Sequence, residues 1–287
     1  MATPVASRLP HAHLVQLDIA WEDPATNHEQ VRQLLDKADV RPGDFVLLPE
    51  MFDTAFSFNI PATNDKRGRT LQFLLDLADD LQATVQGGRT VAACHRCAAR
   101  NVATICAPGQ KLLAEYAKMH LFSPGGEQQH FEPGREVATF LWDARDPGAI
   151  PGLRVQPAIC YDLRFPELFR AGLAAGAEAI ALGACWLSTR HAHWKPLLIA
   201  RAIENQSFVL AVNRVGKDPD RTAPGPDGAP TAKPGARYLG GSVAISPKGE
   251  VLDELGDQQG VLSVAIDPAS VRSWREQFSA WRDRVAW

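Results

Sequence analysis

Apolar residues recur along the chain in two rhythms. One is short and near-continuous, as in strands buried on both faces; the other repeats every three to four positions, as on the inner face of a helix. Residues 14–21 (LVQLDIAW) read as a first strand. Val31, Leu34, Leu35 and Ala38 share one helical face, and Thr26-x-x-Glu29 ahead of them has the form of a capping box. Residues 44–48 (DFVLL) are a buried strand, and Leu71, Leu74, Leu75, Ala78 and Leu81 form the stripe of a second helix that Thr70 is placed to cap. Strand patterns follow at 84–94, 101–107, 111–116, 136–142 and 154–160. Pro166 opens a helix to about residue 175, since a proline in the first turn loses no hydrogen bond. Then come a strand at 178–183, a helix at 193–206 and a strand at 208–212. Residues 238–246 read as one hairpin arm, 247–250 as its turn and 261–266 as the end of the other arm, with a last helix from Pro268. Residues 217–235 are rich in proline and glycine without apolar rhythm, which predicts an exposed loop inside one domain spanning 1–287. Helices at the start, middle and end with strands between them predict layers of sheet covered by helices.

Composition narrows the class. The chain has 287 residues, 45% of them hydrophobic, enough to bury a core without disulfides. Thirty basic residues face 33 acidic ones with no basic run, which argues against a nucleic-acid or anionic-membrane partner. Leu9-Pro10-His11-Ala12-His13 interrupts any signal-peptide core, and no run of about eighteen apolar residues predicts a spanning helix. Five cysteines, an odd and sparse count, fit reduced thiols in a cytoplasmic protein. Cys94-His95-Arg96-Cys97 has no second pair to complete a metal site and does not open a helix as a redox motif does. No metal or other cofactor is expected.

Candidate chemistry lies at strand ends. Glu50 follows the 44–48 strand, Lys118 the 111–116 strand and Cys160 the 154–160 strand. Strand ends that point one way converge on one crevice. A thiol at a strand-to-helix turn is exposed to a substrate carbonyl, a carboxylate can take its proton, and a lysine can lower its pKa and steady an oxyanion. Glu, Lys and Cys thus suffice for acyl transfer without a histidine, although each residue taken singly is as readily structural.

The residues around these three are more telling. Leu47-Leu48-Pro49-Glu50-Met51-Phe52, Tyr116-Ala117-Lys118-Met119-His120-Leu121-Phe122 and Ile159-Cys160-Tyr161-Asp162-Leu163-Arg164-Phe165-Pro166-Glu167 resemble, in order, the three catalytic blocks of the nitrilase (carbon–nitrogen hydrolase) superfamily. Ala200 to Gln206, Asn213 to Gly216 and Gly240-Gly241-Ser242 extend the likeness, which runs from Leu14 to the C-terminus. The resemblance implies an α/β fold, a four-layer α-β-β-α sandwich that pairs through its outer helices. It implies Glu50 as general base, Lys118 as oxyanion stabiliser, Cys160 as nucleophile and the Tyr161 amide as the second oxyanion donor. Glu127, nine residues after Lys118, resembles the family's positioning glutamate, whereas Pro124-Gly125-Gly126-Glu127 alone would fit an exposed loop acid. Asp162 and Arg164 read as an internal ion pair shaping the turn.

Cys160-Tyr161-Asp162, where nitrilases proper carry Cys-Trp-Glu, resembles the bacterial ω-amidase branch and the neighbouring deaminated-glutathione amidases. ω-Amidases convert α-ketoglutaramate or α-ketosuccinamate to the α-keto dicarboxylate and ammonia. Trp186, Arg190 and His193-Trp194 match that branch, and the ending Trp274-Arg275-x-x-Phe278-x-Ala280-Trp281 resembles theirs. A substrate carboxylate calls for a cation, with Arg190 the candidate and Trp186 a wall over the substrate chain; a solvated arginine and a core tryptophan are the plainer alternatives. Trp274, Phe278, Trp281 and Trp287 are spaced for one apolar face, packed on the chain's own core or across a homodimer or higher homo-oligomer. A catalytically inactive binding or scaffold protein is the reading from another class, and the intact Glu50, Lys118, Glu127 and Cys160 speak against it.

Overall fold

Two six-stranded sheets share one plan: parallel strands at the centre and antiparallel partners toward the edges. The computed structural model describes residues 8–92, 99–143, 152–224, 230–233, 235–283 and 285. In the first sheet the order is β16 (Gly260–Ala265), β1 (His11–Gln16), β2 (Phe45–Leu47), β3 (Thr84–Val91), β4 (Arg100–Ala107) and β5 (Lys111–Ala117). In the second it is β15 (Val251–Glu254), β14 (Val243–Ile245), β9 (Phe208–Asn213), β8 (Ala179–Ala184), β7 (Leu153–Ile159) and β6 (Phe140–Trp142). The parallel pairs are β1–β2, β2–β3, β7–β8 and β8–β9. Two antiparallel ribbons complete the strands: β10 (Val215–Lys217) with β13 (Arg237–Leu239), and β11 (Arg221–Pro224) with β12 (Pro230–Lys233).

Period-two alternation sorts side chains into layers. Phe45 and Leu47 of β2 face the other sheet and meet a core with Val155, Ala181, Leu210 and Val212, while Val46 and Leu48 turn outward. The outward face of the first sheet is covered by α1 (Pro24–Leu35) and α3 (Arg69–Leu81) through Val31, Leu35, Leu74 and Leu77; a short α2 (Ile60–Thr63) lies between them in sequence. The second sheet is covered by α4 (Pro166–Ala174) and α5 (His191–Asn205) through Leu168, Phe169, Leu198 and Ala202. These four layers are the expected α-β-β-α sandwich. A last helix, α6 (Pro268–Gln277), follows β16. Among the described residues no helix is long and apolar enough to cross a membrane.

Several local expectations give way to stronger physics. The first strand begins at His11, earlier than expected, because its polar-looking His13 is buried and hydrogen-bonded by Asp44 at 3.0 Å and Ser263 at 2.9 Å. Asp23, not Thr26, caps α1: Pro24 sits in the first turn, and the Asp23 carboxylate accepts from the Thr26 amide at 3.1 Å. Thr70 lies inside α3, whose amides of Thr70 and Leu71 donate to Asp65. The hairpin partner of β14 is β15; β16 instead crosses to pair with β1 in the first sheet. Residues 217–235 carry the β11–β12 ribbon rather than plain loop. The C-terminal segment docks less through its aromatic rings than through Arg275, which donates to the carbonyls of Ala177, Asn205 and Gln206, while Phe278 stays 53% exposed. Cys94, Cys97 and Trp287 lie outside the described residues.

Candidate active site

Glu50, Lys118 and Cys160 follow the ends of β2, β5 and β7, and the sandwich brings these ends together. Glu50 sits on a tight turn whose next residue, Met51, has φ of 44°. Two glycines leave it room: a Cβ on Gly88 of β3 would lie 2.5 Å from the Met51 nitrogen, and one on Gly183 of β8 would lie 2.8 Å from the Leu48 carbonyl oxygen.

Lys118 is fully buried between two buried carboxylates. Its Nζ donates to Glu50 Oε1 at 2.8 Å and to Glu127 Oε2 and Oε1 at 2.8 and 3.1 Å. Glu127 is buried, not an exposed loop acid, and the Phe122 amide donates to it at 2.6 Å. Burial works against the charge of Lys118, but Glu127 and Glu50 outweigh it and hold its pKa well above the usual lysine value. The ammonium is therefore permanent at neutral pH. Asn101 on β4 donates through one Nδ2 to Glu50 Oε1 at 2.7 Å and to Glu127 Oε1 at 3.0 Å. The Cys185 amide, just past β8, donates to Glu50 Oε2 at 2.9 Å.

Cys160 begins a 3₁₀ turn, Cys160–Arg164, at the end of β7, with φ of 45°. A non-glycine residue in this left-handed region carries strain, which the surrounding packing sustains. Asp162 anchors the turn. Its carboxylate accepts from the Ile159 amide at 3.0 Å, the Tyr116 hydroxyl at 2.8 Å, and the His120 amide and Nδ1 at 3.0 and 2.9 Å. Tyr116 and His120 flank Lys118, so Asp162 ties the cysteine turn to the lysine segment. It does not pair with Arg164. That guanidinium lies 4.8 Å from the Trp186 ring centroid and 3.2 Å from His193 Nδ1.

Burial pushes the Cys160 thiol well above its ordinary pKa; the Glu50 charge adds to this, and Lys118 only partly opposes it. Lys118 does act to lower the thiol's pKa, as expected, but burial and Glu50 outweigh it. A thiol held in this way favours its neutral form.

A small open cleft lies over Cys160, lined by Phe122, Tyr161, Arg164, Cys185, Trp186 and Arg190. Trp186 is held by its amide, which donates to Asn213 at 2.7 Å, and by its indole N–H, which donates to the Arg190 carbonyl at 2.8 Å. The Arg190 guanidinium lies 5.2 Å from the Phe122 ring centroid. Neither Arg164 nor Arg190 meets a carboxylate among the described residues. Sequence reasoning missed Asn101, since a lone strand asparagine carries no motif signal, and assigned Arg164 to Asp162. Among the described residues no cluster of three or more His, Cys, Asp or Glu side chains is placed to hold a metal ion.

The chain matches the model of a carbon–nitrogen hydrolase family over residues 12–276. It is 30% identical over 270 residues to a 2-oxoglutaramate amidase of Bacillus subtilis, covering 94% of this chain and 95% of that one. It is also 30% identical to the omega-amidase YafV of Escherichia coli, covering 94% of each. A solved CN-hydrolase superfamily protein of Xanthomonas campestris superposes with a TM-score of 0.83 at 30% identity, covering 98% of this chain and 99% of that one.

Proposed function

The chain belongs to the carbon–nitrogen hydrolase family and hydrolyses amides, and on that premise we propose that it is an ω-amidase working through a Cys160 thioester. The preferred substrate is the ω-amide of an α-keto dicarboxylic acid, α-ketoglutaramate or α-ketosuccinamate. Glu50 accepts the Cys160 proton as sulfur attacks the amide carbonyl. Lys118 Nζ and the Tyr161 amide receive the oxyanion, and Glu127 holds Lys118 in place. The proton on Glu50 passes to the leaving nitrogen, ammonia departs, and a water deprotonated by Glu50 cleaves the thioester to release the acid and restore the thiol. We read the protein as one carbon–nitrogen hydrolase domain over 1–287, acting in the cytoplasm as a homodimer or higher homo-oligomer.

The observation that carries the substrate choice is the pair of arginines, Arg164 and Arg190, that line the cleft over Cys160 and meet no carboxylate among the described residues. An arginine fork matches a carboxylate, and two of them fit a substrate with an acid group beyond its scissile amide. Ammonia release should be fastest with the two α-keto ω-amides when compared with deaminated glutathione and simple aliphatic amides. Arg164→Gln or Arg190→Gln should raise KM for α-ketoglutaramate by roughly 10–100-fold, the worth of one charge-assisted hydrogen bond, and leave a carboxylate-free amide nearly unaffected. A preference for deaminated glutathione, or equal losses on both kinds of amide, would overturn the substrate assignment and spare the thiol chemistry.

A further inference from the structure

We propose that Asn101 is a positioning residue, whose side-chain amide sets Glu50 in the orientation that lets it take the Cys160 proton. The inference rests on the reading of Glu50 as base and is independent of which amide is the substrate. Asn101 is fully buried at the start of β4, where antiparallel pairing sets it opposite Thr90 of β3. Its backbone carbonyl accepts the Lys118 amide at 2.8 Å, so strand β4 and the lysine segment are already registered to each other.

Its side chain admits only one orientation. One terminus faces both Glu50 Oε1 at 2.7 Å and Glu127 Oε1 at 3.0 Å. A carbonyl oxygen placed against two carboxylates would meet only repulsion, so this terminus is the NH₂ group, donating one hydrogen to each. The cost appears at the other end, where Asn101 Oδ1 is buried with no hydrogen-bond partner among the described residues. A buried acceptor left unpaired is tolerated where another demand fixes the side chain. Here the demand is the pair of glutamates.

Counting lone pairs shows what this achieves. Glu50 Oε1 receives Lys118 Nζ and Asn101 Nδ2, which fills its in-plane capacity. Among the described residues Glu50 Oε2 receives one backbone donor, the Cys185 amide, which leaves it one lone pair for the thiol proton. Lys118 alone cannot enforce this, because it is shared with both oxygens of Glu127. Asn101 adds a neutral donor that ties Glu50 without adding charge. The charged and titratable groups around Glu50 are Lys118 after β5, Glu127 beyond it, Cys160 after β7 and Cys185 after β8.

The test compares wild type, Asn101→Ala, Asn101→Asp and Glu50→Gln, using ammonia release from α-ketoglutaramate and from propionamide, with thermal melting as the check on folding. Asn101→Ala should lose about 100-fold in kcat on both amides, the scale of a misplaced reacting group, with KM within about threefold. Asn101→Asp keeps the side-chain shape but sets a third carboxylate beside two others, and the cluster then holds a proton at neutral pH. Its kcat should fall further at pH 7 and recover in alkali, moving the acid limb of the kcat profile upward by about one pH unit or more. Where the alanine variant does not fold, Asn101→Ser, which can donate to one glutamate only, takes its place. A merely structural role predicts lower melting temperature with unchanged kcat per folded enzyme and an unmoved acid limb, and that outcome overturns the proposal. Full activity in Glu50→Gln defeats the base assignment itself; an inactive Glu50→Gln beside fully active Asn101 variants defeats only the role of Asn101.

Discussion

Cys160→Ala should lower amide turnover by about 10⁴-fold or more, as expected for loss of the proposed covalent nucleophile, while the protein remains folded. The structure separates these two consequences. Cys160 is buried with φ of 45°, and alanine takes that conformation at the same backbone cost as cysteine. The hydrogen bonds that build the turn come from Asp162, not from the thiol. Melting temperature should therefore move by only a few degrees, in line with a change of about 1 kcal/mol or less. Glu50, Lys118, Asn101 and Glu127 keep their contacts in this variant. Ammonia release near the wild-type rate would remove Cys160 from the chemistry altogether.

Lys118→Met should inactivate and destabilise together. Methionine replaces the stem of the lysine but leaves two buried carboxylates, Glu50 and Glu127, facing each other without their shared cation. Removing one partner of a buried ion pair costs about 3–5 kcal/mol, which for a chain this size lowers melting by roughly 10 °C or more. The pH dependence tells this apart from lost packing. In wild type the Lys118 pKa is held above its unfolded value, so its contribution is complete below the unfolded pKa and is lost only as pH rises through the folded one. Across the neutral range that contribution is constant. In the variant the folded state takes up a proton that the unfolded glutamates release, so its stability falls as pH rises from the ordinary carboxylate range. The penalty should be smallest near pH 5 and grow toward pH 8, as read by thermal or denaturant unfolding across that range. A penalty that does not vary with pH would mean that the glutamates do not depend on Lys118 for their charge.

The sequence was most legible where one physical demand acts alone. Helix α4 starts at Pro166 as expected, because a proline at the first turn is both permitted and preferred there. The run at β2 reads correctly as a strand buried on both faces, and the three strand ends carrying Glu50, Lys118 and Cys160 meet as expected. Where two demands compete, short-range reading falls short. Thr26 and Asp23 could each cap α1, and the proline between them decides for Asp23. The 247–250 turn joins β14 to the short β15 beside it, whereas β16 crosses to pair with β1 in the other sheet, a long-range choice that turn residues do not carry. Asp162 and Arg164 are two residues apart with opposite charge, yet the 3₁₀ turn sends one carboxylate inward to Tyr116 and His120 and the guanidinium out over Trp186. The same geometry frees Arg164 to face the cleft. Asn101 was invisible because its significance is entirely long-range, 51 positions from Glu50 and 26 from Glu127.

The central claim is that the acyl group passes through a covalent bond to Cys160. Acid quenching of the enzyme during turnover of α-ketoglutaramate, followed by mass spectrometry of the Cys160 peptide, tests it most directly. The predicted result is an adduct on that peptide with the mass of the keto acid less one water, released by hydroxylamine and absent from Cys160→Ala. Sustained ammonia release with no adduct at Cys160, or with the adduct on another residue, would contradict it.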